Sequence, residues 1–302
     1  MSAPPTVAAG RRLRADFALV GNTIAWGCTF VVVKETIRGV SPLLFLAMRF
    51  SIATIALVLL FPSALRRSQN GRQAVPLRAG LIAGFFLFSG YAFQTFGLRL
   101  TSAAKSAFIT GLSIALVPLV GALVYRIRPR FLEVAGVCCA TAGLGLLTLQ
   151  GAALNISRGD LITLCCAFCY AAHIVTVGHY AASVAFESLA VIQVATAAVF
   201  SLSSFWWFEP PVVHWSAGMI VATLFAGLVA TAAAFTAQAW AQQYTTATRT
   251  AVIYALEPVF AWITSFVVMG EGLTGRMAMG AMLILAGILL VELKPALPEG
   301  HP

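Results

Sequence analysis

Long apolar stretches, separated by short polar segments, occupy almost the whole chain. Ten of them are close to the roughly 20 residues that an α-helix needs to cross a hydrocarbon core of about 30 Å. The chain is therefore predicted to be an all-α polytopic membrane protein with ten transmembrane helices. The predicted spans are Phe17–Val33, Pro42–Phe61, Leu77–Leu98, Ala103–Tyr125, Phe131–Leu149, Gly159–Gly178, Phe186–Trp207, Ala217–Gln238, Thr248–Met269 and Arg276–Val291.

A shift of 144 residues aligns the sequence with itself. Residues 91–96 then fall on 235–240, and residues 101–105 fall on 245–249, with one local offset of four residues at Pro118 relative to Pro258. Each half holds five predicted helices, and an odd number forces the second half to enter the membrane inverted. Inverted repeats are typical of secondary transporters. The predicted organisation is an N-terminal cytoplasmic tail, two five-helix repeats and a C-terminal cytoplasmic tail, at residues 1–16, 17–150, 159–292 and 293–302.

Composition and charge support this class. Hydrophobic residues make up 60% of the chain and charged residues 10%, whereas soluble domains are about 25% charged. With the N-terminus inside, 12 of the 19 Lys and Arg residues lie on the cytoplasmic side, which predicts that both termini are cytoplasmic. The net charge of +9 is then an orientation signal that requires no nucleic-acid partner. We expect a monomer in the bacterial cytoplasmic (inner) membrane, with the lipid bilayer and a small-molecule substrate as its partners.

Polar and aromatic side chains within the spans are the candidates for substrate binding. Such groups are costly in lipid and usually face a cavity or another helix. Interhelical packing and location at the membrane interface are the structural alternatives for each. One candidate, His173, could instead carry a proton or simply bridge two helices as a neutral imidazole. The predicted substrate-binding residues are Asn22, Trp26, Tyr91, Gln94, Phe108, Tyr170, His173, Gln238, Trp240 and Tyr254.

Four further residues are candidates for coupling or gating. Glu257 is an acidic residue near the middle of a span, and the adjacent Pro258 can kink the helix. The carboxylate could be structural, could couple to protons or could bind a substrate ammonium. Lys105 and Arg249 occupy equivalent positions near two helix starts, where a cation opposes the helix dipole. They could make gating contacts between the halves, attract an anion or simply be solvated at the interface. A further cation, Arg49, is expected to snorkel to an interface or to pair with a carboxylate.

Sequence motifs of other classes do not occur. The chain has no Walker A motif, HExxH or GxSxG, so neither an ATP-driven pump nor a familiar intramembrane hydrolase is supported. Cys166 and Cys169 form a CxxC, but no second Cys or His pair completes a metal site, and packing is the favoured interpretation. We therefore expect no enzymatic activity, no catalytic residues, no cofactor and no metal.

Several motifs resemble those of the EamA-type transporters of the drug/metabolite transporter superfamily. They are Trp26-Gly27, Pro42 leading to Arg49, residues 241–248 (AQQYTTAT), Glu257-Pro258 and Gly270-Glu271. The resemblance covers roughly residues 17–292. It implies ten helices, cytoplasmic termini and a central cavity lined by spans 1, 3, 4, 6, 8 and 9. Within the family, the chain is most similar to YddG-like exporters of aromatic amino acids.

The resulting hypothesis is a secondary transporter that exports small metabolites by alternating access. The resemblance favours amino acids with aromatic or large neutral side chains as substrates. One alternative is export of cationic or lipophilic drugs, and a second is a membrane-embedded enzyme or a lipid scramblase. Transport could be coupled to proton exchange or could proceed by facilitated diffusion.

Overall fold

The computed structural model describes residues 5–36, 39–64, 77–101, 103–126, 128–149, 156–269 and 274–292. The predicted C-terminal tail and the Gly270-Glu271 motif lie outside these residues. Within them the fold is all-helical, with no strand beyond an isolated bridge between Val40 and Val213, which confirms the predicted class. The helices are α1 Pro5–Thr36, α2 Pro42–Leu60, α3 Leu77–Leu98, α4 Ala103–Gly111, α5 Ser113–Tyr125, α6 Phe131–Thr148, α7 Arg158–Ala181, α8 Phe186–Phe208, α9 Ala217–Gly227, α10 Ala234–Ala241, α11 Ala247–Tyr254, α12 Glu257–Met269 and α13 Gly275–Glu292.

Most of the predicted spans correspond to membrane-length helices. In the described part of the chain, seven helical segments are long and apolar enough to cross a bilayer. Two of them join shorter helices: 105–125 combines α4 with α5, and 217–241 combines α9 with α10. The segment Gly275–Val291 is a shorter apolar helix. The two remaining predicted spans fall on α1 and on α11 with α12.

Three predicted spans are interrupted near their middles. The break between α4 and α5 lies at Leu112, and the break between α11 and α12 lies at residues 255–256, so the two breaks are 144 residues apart. Pro258 is the second residue of α12. A proline is tolerated there because the first turn of a helix has no intrahelical partner for its N–H groups. The expected kink is therefore a complete break at which a new helix begins.

The third interruption is a π-helical turn, Leu228–Ala233, between α9 and α10. A π-helical turn contains an extra residue and is frequent at functional sites. Sequence periodicity gave no sign of it. Its Ala230 carbonyl accepts hydrogen bonds from Trp26 on α1 and from Arg49 on α2.

Helices α6 and α13 pack through four glycines. A Cβ added at Gly136 would lie 2.6 Å from the carbonyl oxygen of Gly287, and one at Gly143 would lie 2.5 Å from that of Gly280. The reverse substitutions at Gly280 and Gly287 meet the same partners at 2.7 and 2.6 Å. Small residues permit such close backbone approach between membrane helices. The shift of 144 residues aligns Gly136 with Gly280 and Gly143 with Gly287. The Gly136–Gly287 and Gly143–Gly280 contacts are therefore equivalent.

The main helix contacts join the two halves of the chain. Helix α3 packs on α7 and α8, α2 packs on α8, and α1 packs on α10 and α12. The connection after α8 also reaches the start of α2, where Glu209 accepts a hydrogen bond from the backbone N–H of Leu43 at 2.5 Å. The core thus lies between residues 17–150 and 159–292, and the polar groups described next lie in this interface.

Candidate functional site

Five aromatic side chains from five helices form a continuous cluster between the two halves. Ring centroids are 4.8 Å apart for Trp26 and Tyr254, 5.8 Å for Trp26 and Phe235, and 5.5 Å for Tyr91 and Tyr170. Tyr91 and Phe235 connect the pairs at 6.5 Å. These are ordinary tilted or edge-to-face separations. The shift of 144 residues aligns Trp26 with Tyr170 and Tyr91 with Phe235, so the Trp26–Phe235 and Tyr91–Tyr170 pairs are equivalent.

Amide side chains satisfy the hydroxyl groups of this cluster. The Asn22 amide donates to the Ala234 carbonyl at 2.8 Å and to the Tyr254 hydroxyl at 3.2 Å. The Tyr170 hydroxyl donates to Oε1 of Gln94 at 3.2 Å. The structure therefore brings Asn22, Trp26, Tyr91, Gln94, Tyr170 and Tyr254 together, all of which were predicted from the sequence.

Arg49 is the principal site residue that the sequence-based selection omitted. It is only 5% exposed, and its guanidinium lies 4.4 Å from the Tyr91 ring centroid. Nε donates to the Thr231 hydroxyl at 2.6 Å, and Nη2 donates to the Tyr91 hydroxyl at 2.9 Å and to the Ala230 carbonyl at 3.0 Å. Arg49 thus neither snorkels nor forms a direct ion pair with a carboxylate among the described residues. The available signal was its charge in the middle of an otherwise apolar span.

The π-helical turn provides the acceptor groups for Arg49. The Ala230 carbonyl also accepts a hydrogen bond from the Trp26 indole at 2.9 Å. The Thr231 hydroxyl, besides accepting from Arg49, donates to the Ala226 carbonyl at 2.7 Å. Side chains that insert into the backbone ladder of a helix replace the hydrogen bonds lost at such a turn. The turn therefore fixes the orientation of both the indole and the guanidinium.

Glu257 places a negative charge beside the same cluster. It is half-buried and is the first residue of α12, where the helix dipole favours an anion. It lies three residues beyond Tyr254, whose ring packs against Trp26 in the cluster. Among the described residues it forms no ion pair within 4 Å. One cation and one anion thus adjoin the same cluster without neutralising each other directly.

His173 lies at the edge of the cluster, in a buried pair with Gln193. Its Nε2 is 2.9 Å from Oε1 of Gln193, and its ring meets Phe235 edge-on at 5.5 Å. Both side chains are almost completely buried. The pair links α7 to α8, which corresponds to the bridging interpretation of this histidine. Gln193 was not predicted, and the shift of 144 residues aligns it with Arg49.

Three other predicted residues lie apart from the cluster. Phe108 packs against the apolar core between α6 and α13. Gln238 donates to Oε1 of Gln242 at 3.0 Å, so it does not repeat the contact that Gln94 makes. Trp240 stacks edge-on with Tyr244 at 5.4 Å and borders an apolar cavity of about 520 Å³ next to α2.

Lys105 and Arg249 each form an ion pair with the opposite half of the chain. Arg249 donates to both oxygens of Asp16, at 2.9 and 2.6 Å. Lys105 lies 3.6 Å from Asp160, which also accepts a hydrogen bond from Thr101. The shift of 144 residues aligns Asp16 with Asp160 and Lys105 with Arg249. The two contacts are thus equivalent, and each connects the first half to the second.

The described residues contain no cluster of His, Cys, Asp or Glu suited to a metal ion. The six cysteines are free thiols, and Cys166 and Cys169 are buried among neighbouring helices.

Comparisons with known proteins agree with this architecture. The model of the EamA-like transporter family matches twice, at residues 13–149 and 157–293. A solved protein structure superimposes with a TM-score of 0.77 at 22% identity, over 93% of this chain and 96% of the other, which supports the fold.

Relatives of the chain are named as transporters. An uncharacterized transporter of Archaeoglobus fulgidus is 34% identical over 94% of this chain and 87% of its own length. The uncharacterized transporter YyaM of Bacillus subtilis is 28% identical over 92% of this chain and 93% of its own length. The two family matches and these relatives together show that the chain is a polytopic membrane protein that belongs to the EamA-like transporter family.

Proposed function

We propose that the protein is a secondary transporter that exports amino acids with aromatic or large neutral side chains by alternating access. In this proposal, ten transmembrane helices form two inverted five-helix repeats in the cytoplasmic membrane, with both termini in the cytoplasm. The substrate site lies between the repeats, at the aromatic cluster. Transporters of this architecture bind substrate near the bilayer midplane and rock one repeat against the other.

The observation that carries the proposal is the equivalence of the two ion pairs between the repeats. Asp16 immediately precedes the first predicted span, and Asp160 lies at the start of the sixth. Five crossings separate these positions, so the Asp16–Arg249 and Asp160–Lys105 pairs belong to opposite membrane faces. Each pair can close its own face while the other is open. Lys105 and Arg249 are accordingly assigned to gating, as their positions at the helix starts suggested.

The aromatic cluster supports the substrate class. Aromatic walls accommodate a large apolar side chain, while a few fixed polar groups orient the ligand. Trp26, Tyr91, Tyr170 and Tyr254 supply the walls, and Asn22 and Gln94 supply amide groups. The large apolar side chain of such an amino acid suits the aromatic walls, and its two charged groups suit the amide side chains.

Export of organic cations is a second candidate, and one observation favours it. Glu257 is a half-buried carboxylate three residues beyond Tyr254 of the aromatic cluster, and aromatic faces together with an anion suit a desolvated cation. The two candidates differ in one requirement, because an amino acid also needs a partner for its carboxylate.

The test is a flux assay in proteoliposomes. Purified protein is reconstituted, and efflux of labelled L-phenylalanine, L-leucine, L-alanine and L-lysine is compared with efflux of tetraphenylphosphonium. We expect saturable efflux of phenylalanine and leucine above protein-free vesicles. Efflux of tetraphenylphosphonium alone would favour the cation exporter. Well-folded protein that moves no amino acid would refute the amino-acid proposal, and repeating the assay with an imposed pH gradient identifies proton coupling.

A further inference from the structure

The guanidinium of Arg49 is held by only two of its three nitrogen atoms. Nε and Nη2 make all of its hydrogen bonds in the described part of the chain, to Thr231, Tyr91 and Ala230. Nη1 makes none and is not among the fully enclosed polar atoms. Arg49 is only 5% exposed, yet its donor Nη1 is not fully enclosed. Its partners fix the direction of that donor.

Glu257 has the complementary arrangement. Its carboxylate is half-buried, and no hydrogen bond or ion pair within the described residues occupies it. The break between α11 and α12 places it at a helix start instead of along a continuous helix. Among the described residues it forms no ion pair with Arg49 within 4 Å. Arg49 and Trp26 share the Ala230 carbonyl as an acceptor, and Trp26 contacts Tyr254, which lies three residues before Glu257, so both charges adjoin the same aromatic rings.

Two unneutralised charges inside a membrane protein are costly, because removing ions from water is repaid only by good partners. The two charges also do not serve as each other's partner, since the π-helical turn holds Arg49 and Glu257 lies at the separate break between α11 and α12. A ligand with an anionic and a cationic group would supply both missing partners at once. A carboxylate accepts charge-assisted hydrogen bonds from a guanidinium, and an ammonium donates to a carboxylate.

We infer that Arg49 and Glu257 form a dipolar binding site, in which Nη1 of Arg49 holds the substrate carboxylate and Glu257 holds the substrate ammonium. This inference rests on the proposed function and assigns its recognition step to two residues. Tyr91 is a positioning residue, because its hydroxyl and ring hold the guanidinium. Specificity for zwitterions follows, since a molecule that lacks either charged group leaves one protein charge without a partner.

The test measures binding to detergent-solubilised protein by calorimetry, which avoids passive permeation of the probes. The probes are L-phenylalanine, L-phenylalaninamide, which lacks the carboxylate, and 3-phenylpropanoate, which lacks the ammonium. Wild type should prefer phenylalanine over either analogue by a factor on the order of 10 to 100, the size expected for hydrogen bonds to charged groups. Arg49→Gln should abolish the preference over the amide alone. Glu257→Gln should abolish the preference over 3-phenylpropanoate alone.

The paired pattern separates recognition from stability. The control variant is Glu133→Gln, whose carboxylate is an exposed helix cap outside the site; it should keep both preferences. If Arg49→Gln does not fold, Arg49→Lys replaces it and should reduce the preference over the amide several-fold, because an ammonium lacks the planar donor geometry. An unchanged preference in folded Arg49→Lys, or an equal loss for all three probes in either glutamine variant, would overturn the inference. Wild type that binds no amino acid would instead overturn the proposed function.

Discussion

Asp16 on α1 and Arg249 on α11 form a two-point ion pair between helices from opposite halves of the chain, with N–O distances of 2.9 and 2.6 Å. The Arg249 side chain is 4% exposed, whereas Lys105 in the equivalent pair is 20% exposed. The two equivalent ion pairs thus differ in burial and in N–O distance. The difference leads to measurable expectations for both stability and access.

Removing Asp16 from the buried pair should lower the free energy of unfolding more than removing Lys105 from the partly exposed pair. Asp16→Asn removes the carboxylate that pairs with the buried Arg249 guanidinium, and breaking a buried ion pair from one side costs about 3–5 kcal/mol. Lys105→Met removes a partly solvated cation, and we expect about 1 kcal/mol or less. Thermal unfolding of each purified variant in detergent checks the order. Equal shifts in Tm would contradict the assigned difference in burial.

The same pairs should control access to the site from opposite faces. We expect Asp16→Asn to increase labelling of Gln94→Cys by an impermeant thiol reagent from one side of the membrane, and Asp160→Asn to increase it from the other. The background lacks the six native cysteines, and Glu133→Gln is the control. Vesicles of both orientations give the measurement. Increased labelling from the same face in both variants would refute the two-gate assignment.

Close packing of α6 against α13 should make its glycines intolerant of substitution. Gly143→Ala places a methyl group 2.5 Å from the carbonyl oxygen of Gly280, and the required separation of the helices should cost about 1–3 kcal/mol. Gly121→Ala is the matched control, since a Cβ there meets nothing within 4 Å and α5 gains about 0.5–1 kcal/mol of helix propensity. The thermal unfolding midpoint should therefore fall for Gly143→Ala and rise for Gly121→Ala.

The pair of His173 and Gln193 should prove structural. His173→Leu leaves the buried Gln193 amide without its partner and should destabilise the fold by about 1–3 kcal/mol. Adding Gln193→Leu should recover part of that loss in a double-mutant cycle. Flux measured against pH should keep its profile in both variants. A changed pH profile without loss of stability would instead identify His173 as a proton carrier.

Trp26 should contribute through its N–H group as well as its ring. Trp26→Phe keeps the aromatic contacts but removes the hydrogen bond to the Ala230 carbonyl, which should cost about 0.5–1.5 kcal/mol. Trp240→Phe is the control, because that side chain borders an apolar cavity. The comparison uses the unfolding midpoint. A larger effect at Trp240 would show that ring size, and not the hydrogen bond, sets the outcome.

Hydrophobic length and internal repetition predict most of this fold. A span of about 20 apolar residues has few alternatives to a helix, because lipid offers no hydrogen-bond partners to the backbone. Breaks within spans are less visible, since the π-helical turn at Leu228–Ala233 is bonded to Arg49 and Trp26, which lie far away in sequence. Pro258 marks one break, but the sequence around Leu112 has no proline at the break itself.

The candidate site was predictable as a set of residue types and less so as a set of contacts. Asn22 and Trp26 are four residues apart and so lie on one helical face, and the structure joins both to the second half. Symmetry suggested that Gln94 and Gln238 act alike, yet Gln238 bonds to its own helical neighbour Gln242. Arg49 required knowledge of its acceptors, because a lone arginine in a span is also compatible with snorkelling.

The alignment of Arg49 with Gln193 has a consequence for direction. The aromatic pairs and the glycine contact obey the twofold relation, while the guanidinium occurs in only one of its two equivalent positions. The interface between the halves is therefore symmetric in these ring and glycine contacts but one-sided in charge. A zwitterion bound there would have the same end against α2 whichever face it entered from, so it would leave by either exit with its orientation relative to the protein unchanged.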